Sequence, residues 1–502
     1  MSRSRLIPVV PLLATTVLSG CIAAVGSENY NFAEAGFGTV RAGTSKALKK
    51  ETVWVQSQGE AKAVAKRVHA LTHKKTLTVE QAVQVALLNN KGLQAAYADI
   101  GASAAAAWQE TLLVNPTVSI GVLGIASPEV GAFRAIEGMV ANNVLRLMTR
   151  ERRVAVADTR FEQAQLRAIE ATLALAASTR RAWITAVSAF ERVAYLNRAL
   201  IAADAASELA KELGRTGAVG KAGQAREHVF YAELTGQAAQ ARLAAKLAKE
   251  ELTRLMGLWG SEVTYYVPDA LPAVPRRVKK KSAIESEALH RRVDLQIAKL
   301  ELEALAKSHG LTDATRYLTD FEIIAGAELE REVETEIELE NGQLEEKSKK
   351  KTSITPQIEL EFNIPVFDSG EARLRKAETA YMRAANQLAE KAVNIRSEAR
   401  AAYTNYRSRR EIALHYKRSV LPLRSTISEE SLLTYNGMIT STFELLADTR
   451  AKINSLLLSV DAKREFWLAD ANISAAIYGG GASASPGGGG GGAMAEEAGA
   501  GH

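Results

Sequence analysis

Two patterns of hydrophobic and polar positions alternate along this chain. Long segments have the composition of α-helices, and short segments between them alternate strictly between apolar and polar residues. Residues 140–213 contain neither glycine nor proline and are rich in Ala, Leu, Arg, Glu and Gln, which are strong helix formers. At about 1.5 Å per residue such a helix is roughly 100 Å long. The sequence therefore predicts a helix far beyond the average of ~11–12 residues.

The same pattern recurs in the second half of the chain. Residues 371–436 are interrupted only by Pro422, where we expect a kink or a short break. A shorter helix is predicted after each long one, at 224–256 and at 438–478. Four pairs of residues lie at one constant spacing of 220 positions: Glu151 and Glu371, Arg153 and Arg373, Trp183 and Tyr403, and Gly217 and Gly437. This spacing predicts an internal two-fold repeat.

Each repeat is expected to begin with a helix that has a capping box. Thr78 with Gln81 predicts a helix to about residue 113, and Ser282 with Glu285 predicts one to about residue 308. The first repeat is placed at 76–267 and the second at 282–478. A linker at 268–281, rich in proline and basic residues, joins them. Glycine favours tight reversals, so Gly217 and Gly437 are predicted to be turns between helices.

The alternating segments predict four β-strands. Residues 117–123, 321–329 and 357–364 alternate cleanly, and a weaker strand is expected near 130–140. The charged stretch at 330–356 is predicted to be a long exposed loop. Segments of about ten alternating residues are typical of membrane β-strands, but a half-buried strand of a soluble sheet has the same period. Four strands cannot close a membrane barrel, whereas three chains would supply twelve.

Composition narrows the classes of function. The formal charge is +6, and it falls to +4 without Arg3 and Arg5, which is too mild and too scattered for a nucleic-acid-binding protein. The sequence has one cysteine and seven scattered histidines, so it offers no metal site. It also lacks the phosphate-binding and nucleophile motifs. We therefore predict neither an enzyme nor a cofactor.

The N-terminus has the features of an export signal. Arg3 and Arg5 precede an apolar run that ends at Leu18-Ser19-Gly20-Cys21, and this run is shorter than the roughly 20 residues that span a bilayer. The string resembles a bacterial lipobox, so we predict a signal peptide at 1–20 and a lipid, such as palmitate, on Cys21. Ile22 occupies the position where an Asp would resemble an inner-membrane retention signal. The alternative is an ordinary signal peptide with an incidental cysteine.

Two further segments complete the predicted organisation. A lipidated lead at 21–75 has no strong pattern and is expected to be partly ordered. A Gly-rich tail at 479–502 is expected to be disordered, because it contains too few apolar residues to bury a core.

Several motifs together resemble the TolC-type outer-membrane efflux proteins over about residues 77–479. The matching segments are Leu77 to Ala82 with Asn89-Asn90, Val114-Asn115-Pro116, Arg292-Val293-Asp294-Leu295, Asn363 to Gly370, Tyr435-Asn436-Gly437, and Glu444 to Arg450. The resemblance implies a mainly α-helical fold. By this resemblance, very long antiparallel helices would form an α-barrel protomer, and four β-strands would contribute to a trimeric 12-stranded transmembrane β-barrel.

The resemblance also implies partners and site residues. It implies a homotrimer in outer-membrane lipid that docks to a periplasmic adaptor and an inner-membrane pump. Gly217 and Gly437 would be turns at the periplasmic tip, and Glu444 with Asp448 would line an acidic aperture. The exit from the last strand would be formed by Pro365, Phe367, Asp368 and Gly370. The alternative function is a lipid-anchored periplasmic adaptor of an efflux pump, and the cargo is not predicted.

Overall fold

The computed structural model describes residues 34, 36–125, 133–217, 219–278, 283–340, 343–437 and 439–479. The predicted signal peptide, Cys21 and the tail beyond residue 479 lie outside these residues. The chain divides into two compact units. The first unit contains Ala98–Gln165 and Gln296–Glu390, and the second contains Thr39–Tyr97, Leu166–Leu295 and the chain from Lys391.

Long helices and one small sheet make up the described chain. The elements in chain order are α1 (Phe37–Leu48), α2 (Gln58–Thr72), α3 (Val79–Asn89), α4 (Lys91–Thr111), β1 (Thr117–Leu123), β2 (Ala135–Asn143), α5 (Val144–Met148), α6 (Arg150–Arg215), α7 (Lys221–Met256), α8 (Ile284–Arg291), α9 (Val293–Ala314), β3 (Phe321–Glu340), β4 (Gln343–Phe362), α10 (Glu371–His415), α11 (Leu421–Asn436) and α12 (Thr442–Tyr478). Helices, two strands, a long helix, a turn and a further helix therefore occur twice, as the internal repeat predicts.

The longest helix is α6, with 66 residues. It begins at Arg150, ten residues after the predicted start, because 135–143 form strand β2 instead. No described helix combines the length and the apolar content that a membrane crossing requires.

The first predicted helix is present but is divided in two. The Thr78 side chain accepts a hydrogen bond from the Gln81 backbone, and the Gln81 side chain accepts one from the Thr78 backbone, so the capping box is confirmed. The predicted single helix to about residue 113 is wrong, because Asn90 is extended (φ −65°, ψ 120°). Its Oδ1 accepts a hydrogen bond from the Leu93 backbone at 2.9 Å. Asn90 thus ends α3 and caps α4.

The start of the second repeat differs from the prediction. Helix α8 begins at Ile284 after Ala283, which makes no side-chain cap, and Ser282 lies outside the described residues. The predicted capping box depends on Ser282 and so stays a prediction. Arg292 is extended (φ −67°, ψ 121°) and separates α8 from α9, so this predicted helix is also divided.

The predicted irregularity at Pro422 is confirmed and takes a specific form. A π-helical segment, Tyr416–Val420, joins α10 to α11, and the Leu421 backbone N–H donates to the Tyr416 carbonyl five residues back. Proline has no N–H for the carbonyl four residues earlier, and its ring collides with that carbonyl. The wider turn accommodates both effects.

The four strands form one antiparallel sheet in the order β1-β2-β3-β4. The boundaries of β1 match the prediction, whereas β2 starts five residues later than expected. The predicted loop at 330–356 is wrong, because β3 and β4 continue through it as a hairpin and pair from Phe321 with Phe362 to Glu340 with Gln343. Glutamate at every second position from 330 to 338 has the period of a strand.

The second unit contains the main apolar core. Trp183 of α6 is buried there, and its Nε1 donates to the Leu77 carbonyl at 2.9 Å. This bond ties the residue before the Thr78 capping box to the long helix. Tyr97 is fully buried and bonds to the Thr172 hydroxyl at 2.9 Å, and its burial raises its pKa to about 12.

Candidate functional site

One face of the sheet is apolar and exposed. The register aligns Val118 of β1, Val140 of β2, Ala325 of β3 and Ile358 of β4 across the four strands. Val118 is 64% exposed and Ile358 is 80% exposed. The apolar residues and glycine that share this face are Val118, Ile120, Val122, Ile136, Gly138, Val140, Phe321, Ile323, Ala325, Ala327, Leu329, Ile354, Pro356, Ile358, Leu360 and Phe362. Asn142, near the end of β2, is the polar residue on this face. Such a contiguous apolar surface marks an interaction site for protein or lipid.

The opposite face is polar and acidic. Within 117–123, 135–143, 321–330 and 353–362 it has no lysine or arginine. Its carboxylates are Glu137, Glu322, Glu328, Glu330, Glu359 and Glu361. In the described chain, Glu330 has an ion pair with Arg134 at 3.7 Å, and the Glu328 carboxylate accepts from Gln357 at 3.1 Å. The sheet therefore has one face suited to hydrocarbon and one suited to water.

The predicted strand exit is a compact turn. Asp368 Oδ1 accepts a hydrogen bond from the Gly370 backbone at 2.8 Å, and α10 begins at the next residue. Gly370 has a φ of +73°, and a Cβ there would lie 2.6 Å from the Arg316 carbonyl oxygen. Glycine is therefore required at this position for both conformation and space. Pro365 and Phe367 are exposed, and Phe367 is 103% exposed.

Gly217 and Gly437 both lie between helices of the second unit, and only Gly217 has a left-handed backbone. Gly217 follows α6 with a φ of +78°, and a Cβ there would have nothing within 4 Å. Gly437 follows α11 with a φ of −79°. Gly437 also lies in a turn between two helices, but its backbone is not left-handed, and its N–H continues the helical bonding to the Leu433 carbonyl at 2.9 Å.

The two predicted aperture residues have local roles within the chain. Ser441 caps α12 by accepting a hydrogen bond from the Glu444 backbone. The exposed Glu444 therefore lies in the first turn, where the positive end of the helix dipole stabilises its negative charge. Asp448 lies one turn further along and accepts a hydrogen bond from Ser431 of α11. The aperture itself stays a prediction.

One ionic contact near these turns was not predicted. The Glu227 carboxylate of α7 is 3% exposed and binds the Arg450 guanidinium of α12 at 2.9 Å. The guanidinium also lies over the Phe230 ring, 4.3 Å from its centroid. Arg450 is the last residue of the Glu444 to Arg450 motif. Its partner lies 223 positions away in the sequence, and no sequence pattern links the two residues.

A second ionic cluster explains the Arg292-Val293-Asp294-Leu295 motif near the start of the second repeat. The buried Arg292 guanidinium bonds to both Asp294 carboxylate oxygens, at 3.0 and 2.8 Å, and also to Glu398 of α10. Burial of Glu170 on α6, followed by the charge of Asp294, raises the pKa of Glu170 above its ordinary value of 4.5. Lys391 lies 4.0 Å from Asp294 and opposes this shift.

Comparisons with known proteins agree on the fold. No family model matches the sequence, and no curated protein does. Solved structures do match. CusC, which forms a transmembrane channel, aligns with a TM-score of 0.64 at 15% identity over 80% of this chain and 92% of its own.

Two further solved structures give the same result. The outer-membrane channel OprN aligns with a TM-score of 0.64 at 19% identity over 80% of this chain and 90% of its own. The CmeC outer membrane channel of Campylobacter jejuni gives 0.62 at 16% identity over 86% and 89%. The chain therefore has the fold of the TolC-type outer-membrane channels. For the fold, this confirms the resemblance that the sequence motifs indicate.

Proposed function

We propose that this protein is the outer-membrane channel of a tripartite efflux or type I export system. The observation that carries the proposal is the sheet, which exposes an apolar face and an acidic face on opposite sides. A sheet with this division is stable when lipid covers the first face and water fills the space beside the second. The similarity to solved outer-membrane channels supports the same conclusion.

The size of the apolar face suits a membrane. From Phe321 to Leu329 the strand extends about 27 Å at roughly 3.4 Å per residue, close to the ~25 Å apolar band of outer-membrane barrels. β1 and β4 are the edge strands of the described sheet. An open edge is not stable in lipid, because its N–H and C=O groups stay unpaired.

Copies of the chain can close such a barrel. β1 and β4 run in opposite directions, since each neighbouring pair in the four-stranded sheet is antiparallel. β4 of one copy can therefore pair with β1 of the next and keep the antiparallel order. Three copies give twelve strands, an even number above the minimum of about eight. This agrees with the homotrimer that the family resemblance implies.

The remaining parts of the proposal concern partners and anchoring. Substrate would pass from an inner-membrane pump and a periplasmic adaptor into a helical tunnel built by the long helices. A lipid on Cys21 would hold the N-terminus at the outer membrane. The alternative, a lipid-anchored adaptor, has no observation in its favour, because the similar solved structures are channels.

A matched pair of arginine variants tests whether the apolar face contacts lipid. Ile358 lies at the middle of the apolar band, and Gln357 lies next to it on the acidic face. An arginine facing lipid near the midplane costs about 2–4 kcal/mol. We expect I358R to lose the heat-sensitive trimer band in outer-membrane fractions and Q357R, whose new charge faces Glu328, to keep it. Equal assembly of both variants would refute a lipid-facing sheet.

Two further measurements test location and anchoring. The native protein should partition with the outer membrane, and recovery only with the inner membrane would favour an adaptor. The Cys21→Ser variant should lose the acyl mass on mass spectrometry while the trimer persists. An undiminished acylated band would refute lipidation at this residue.

A further inference from the structure

The apolar face of the sheet ends in positive charge on the β3–β4 hairpin. Leu329 of β3 stands opposite Ile354 of β4 and forms the last apolar row of this face. Because residues two positions apart on a strand share a face, Arg331 lies on the same face one row further along. Lys350 of β4 lies two rows further along. The apolar band is therefore continued by one basic side chain from each strand of the hairpin.

The position of Arg331 is fixed by contacts with the chain before β2. Its backbone N–H donates to the Arg134 carbonyl at 2.9 Å, which continues the pairing of β2 with β3. Its guanidinium lies over the Phe133 ring, 4.1 Å from the centroid. An aromatic ring can lie against apolar surroundings while the basic group beside it stays close to water. This pair therefore suits the boundary between an apolar layer and water.

The charges of these two basic residues lack a carboxylate partner. Within the part of the chain that the structure describes, neither Arg331 nor Lys350 forms an ion pair, and Lys350 stands opposite Val333. On the inner face of the same hairpin, by contrast, Lys351 stands opposite Glu332. Arg331 is half-buried, and a charge that is partly removed from water is stabilised by an opposite charge. The outer face therefore offers a site for an anion.

We propose that Arg331 and Lys350 bind the phosphate groups of lipid headgroups. A guanidinium binds phosphate through two N–H donors, and an ammonium binds it as a point charge. Cross-strand neighbours offset by two positions lie about 7–8 Å apart, so both long side chains can reach one headgroup. Lipid is the occupant rather than free phosphate, because the site adjoins the exposed apolar face that acyl chains would cover.

The site belongs to one side of the membrane. Helix α9 precedes β3 and α10 follows β4, so helices adjoin the sheet at the end marked by Phe321 and Phe362. Arg331 and Lys350 lie beyond the opposite end of the apolar band. This inference rests on the proposed function, in which the long helices are periplasmic. The phosphates are then those of lipids in the outer leaflet.

Native mass spectrometry of the detergent-purified trimer tests this inference, because it counts bound lipids directly. The probe is diphosphoryl lipid A, and the comparison lipid is lipid A from which both phosphates have been removed. A basic residue beside an anionic lipid surface contributes about fivefold in affinity. We therefore expect R331Q to bind the probe about fivefold more weakly, and R331Q combined with K350Q roughly 25-fold more weakly. The matched control is K351Q, which removes a positive charge from the inner face of the same hairpin and should leave binding unchanged.

The native trimer should bind the probe more tightly than the dephosphorylated lipid. Equal binding of the two lipids, or an equal loss in K351Q, would overturn the inference while leaving the trimer in place. Displacement of the probe by millimolar inorganic phosphate would also overturn it, because the site would then belong to free phosphate. If the native protein forms no trimer, the proposed function itself fails. Should R331Q not assemble, K350Q, whose side chain is exposed, supplies a second test with a similar expected loss.

Discussion

Three glycines of this chain differ in a way that separates backbone conformation from crowding. Gly217 has a left-handed backbone in open space, Gly370 has a left-handed backbone against a carbonyl oxygen, and Gly437 has an ordinary backbone with neighbours no nearer than 3.5 Å. Alanine at each position therefore probes a different physical effect. All three lie beside long helices, so the same measurement applies to each.

The expected magnitudes follow from these geometries. A left-handed conformation costs an alanine about 1–2 kcal/mol, and replacing glycine reduces the entropy of the open chain by about 0.4–1 kcal/mol. G217A should therefore destabilise its turn by about 1 kcal/mol. G437A should be neutral or slightly stabilising. G370A adds the collision of its Cβ with the Arg316 carbonyl at 2.6 Å, and such overpacking costs a further ~1–3 kcal/mol.

Hydrogen exchange of the detergent-solubilised protein measures these local effects. A loss of about 1 kcal/mol speeds exchange from the open turn roughly fivefold. We expect this in the peptide containing Thr216 and Val219, whose amides bond to carbonyls of α6. G370A should speed exchange at its own turn by more than this, and G437A should leave exchange at its own turn unchanged. If G437A were as disruptive as G217A, the left-handed backbone would not be the cause.

Three further changes have defined outcomes. The folded state raises the pKa of Glu170, so ionisation of this carboxyl destabilises the fold above that pKa and not below pH 4.5. Glu170→Gln should therefore raise the melting temperature at pH 7 but not at pH 4. An equal rise at both pH values would contradict this reasoning. Lys349→Glu places a second negative charge opposite Glu334, so the rate of amide exchange in 331–334 should rise by as much as about fivefold. Lys349→Gln should raise this rate less. Glu444→Ala should raise single-channel conductance or alter cation selectivity, and no change in either would exclude Glu444 from the aperture.

The sequence predicted the elements whose signals are local. The Thr78 capping box, the 66-residue helix and strand β1 each follow from residues that are neighbours in the chain. The irregularity at Pro422 follows equally from the chemistry of one residue. These features depend on helix propensity, strand period and the missing N–H of proline, so tertiary contacts had little to change.

Errors arose where one residue type permits two structures. Asn90 lies within a helical pattern but caps a new helix, because its short amide competes with backbone bonding. The bond between Glu227 and Arg450 depends on the packing of α7 with α12, which no local pattern encodes. Sequence reasoning therefore identified the turns but not the contact that joins the helices beside them.

Strand β3 continues through the charged segment, which the sequence predicts to be a loop, and this segment needs its own source of stability. From Phe321 to Leu329 its outer face is apolar, and beyond Leu329 this face carries Arg331 and, on β4, Lys350. In the proposed barrel the second part cannot lie in hydrocarbon, because charged side chains there are costly. An isolated two-stranded ribbon is only marginally stable in water, so cross-strand pairs such as Glu332 with Lys351 supply the stabilisation that lipid and the neighbouring strand β2 give to the first part. In the proposed barrel, the appearance of charged residues on the outer face after Leu329 would therefore mark the edge of the membrane, and the ribbon beyond it would extend into water.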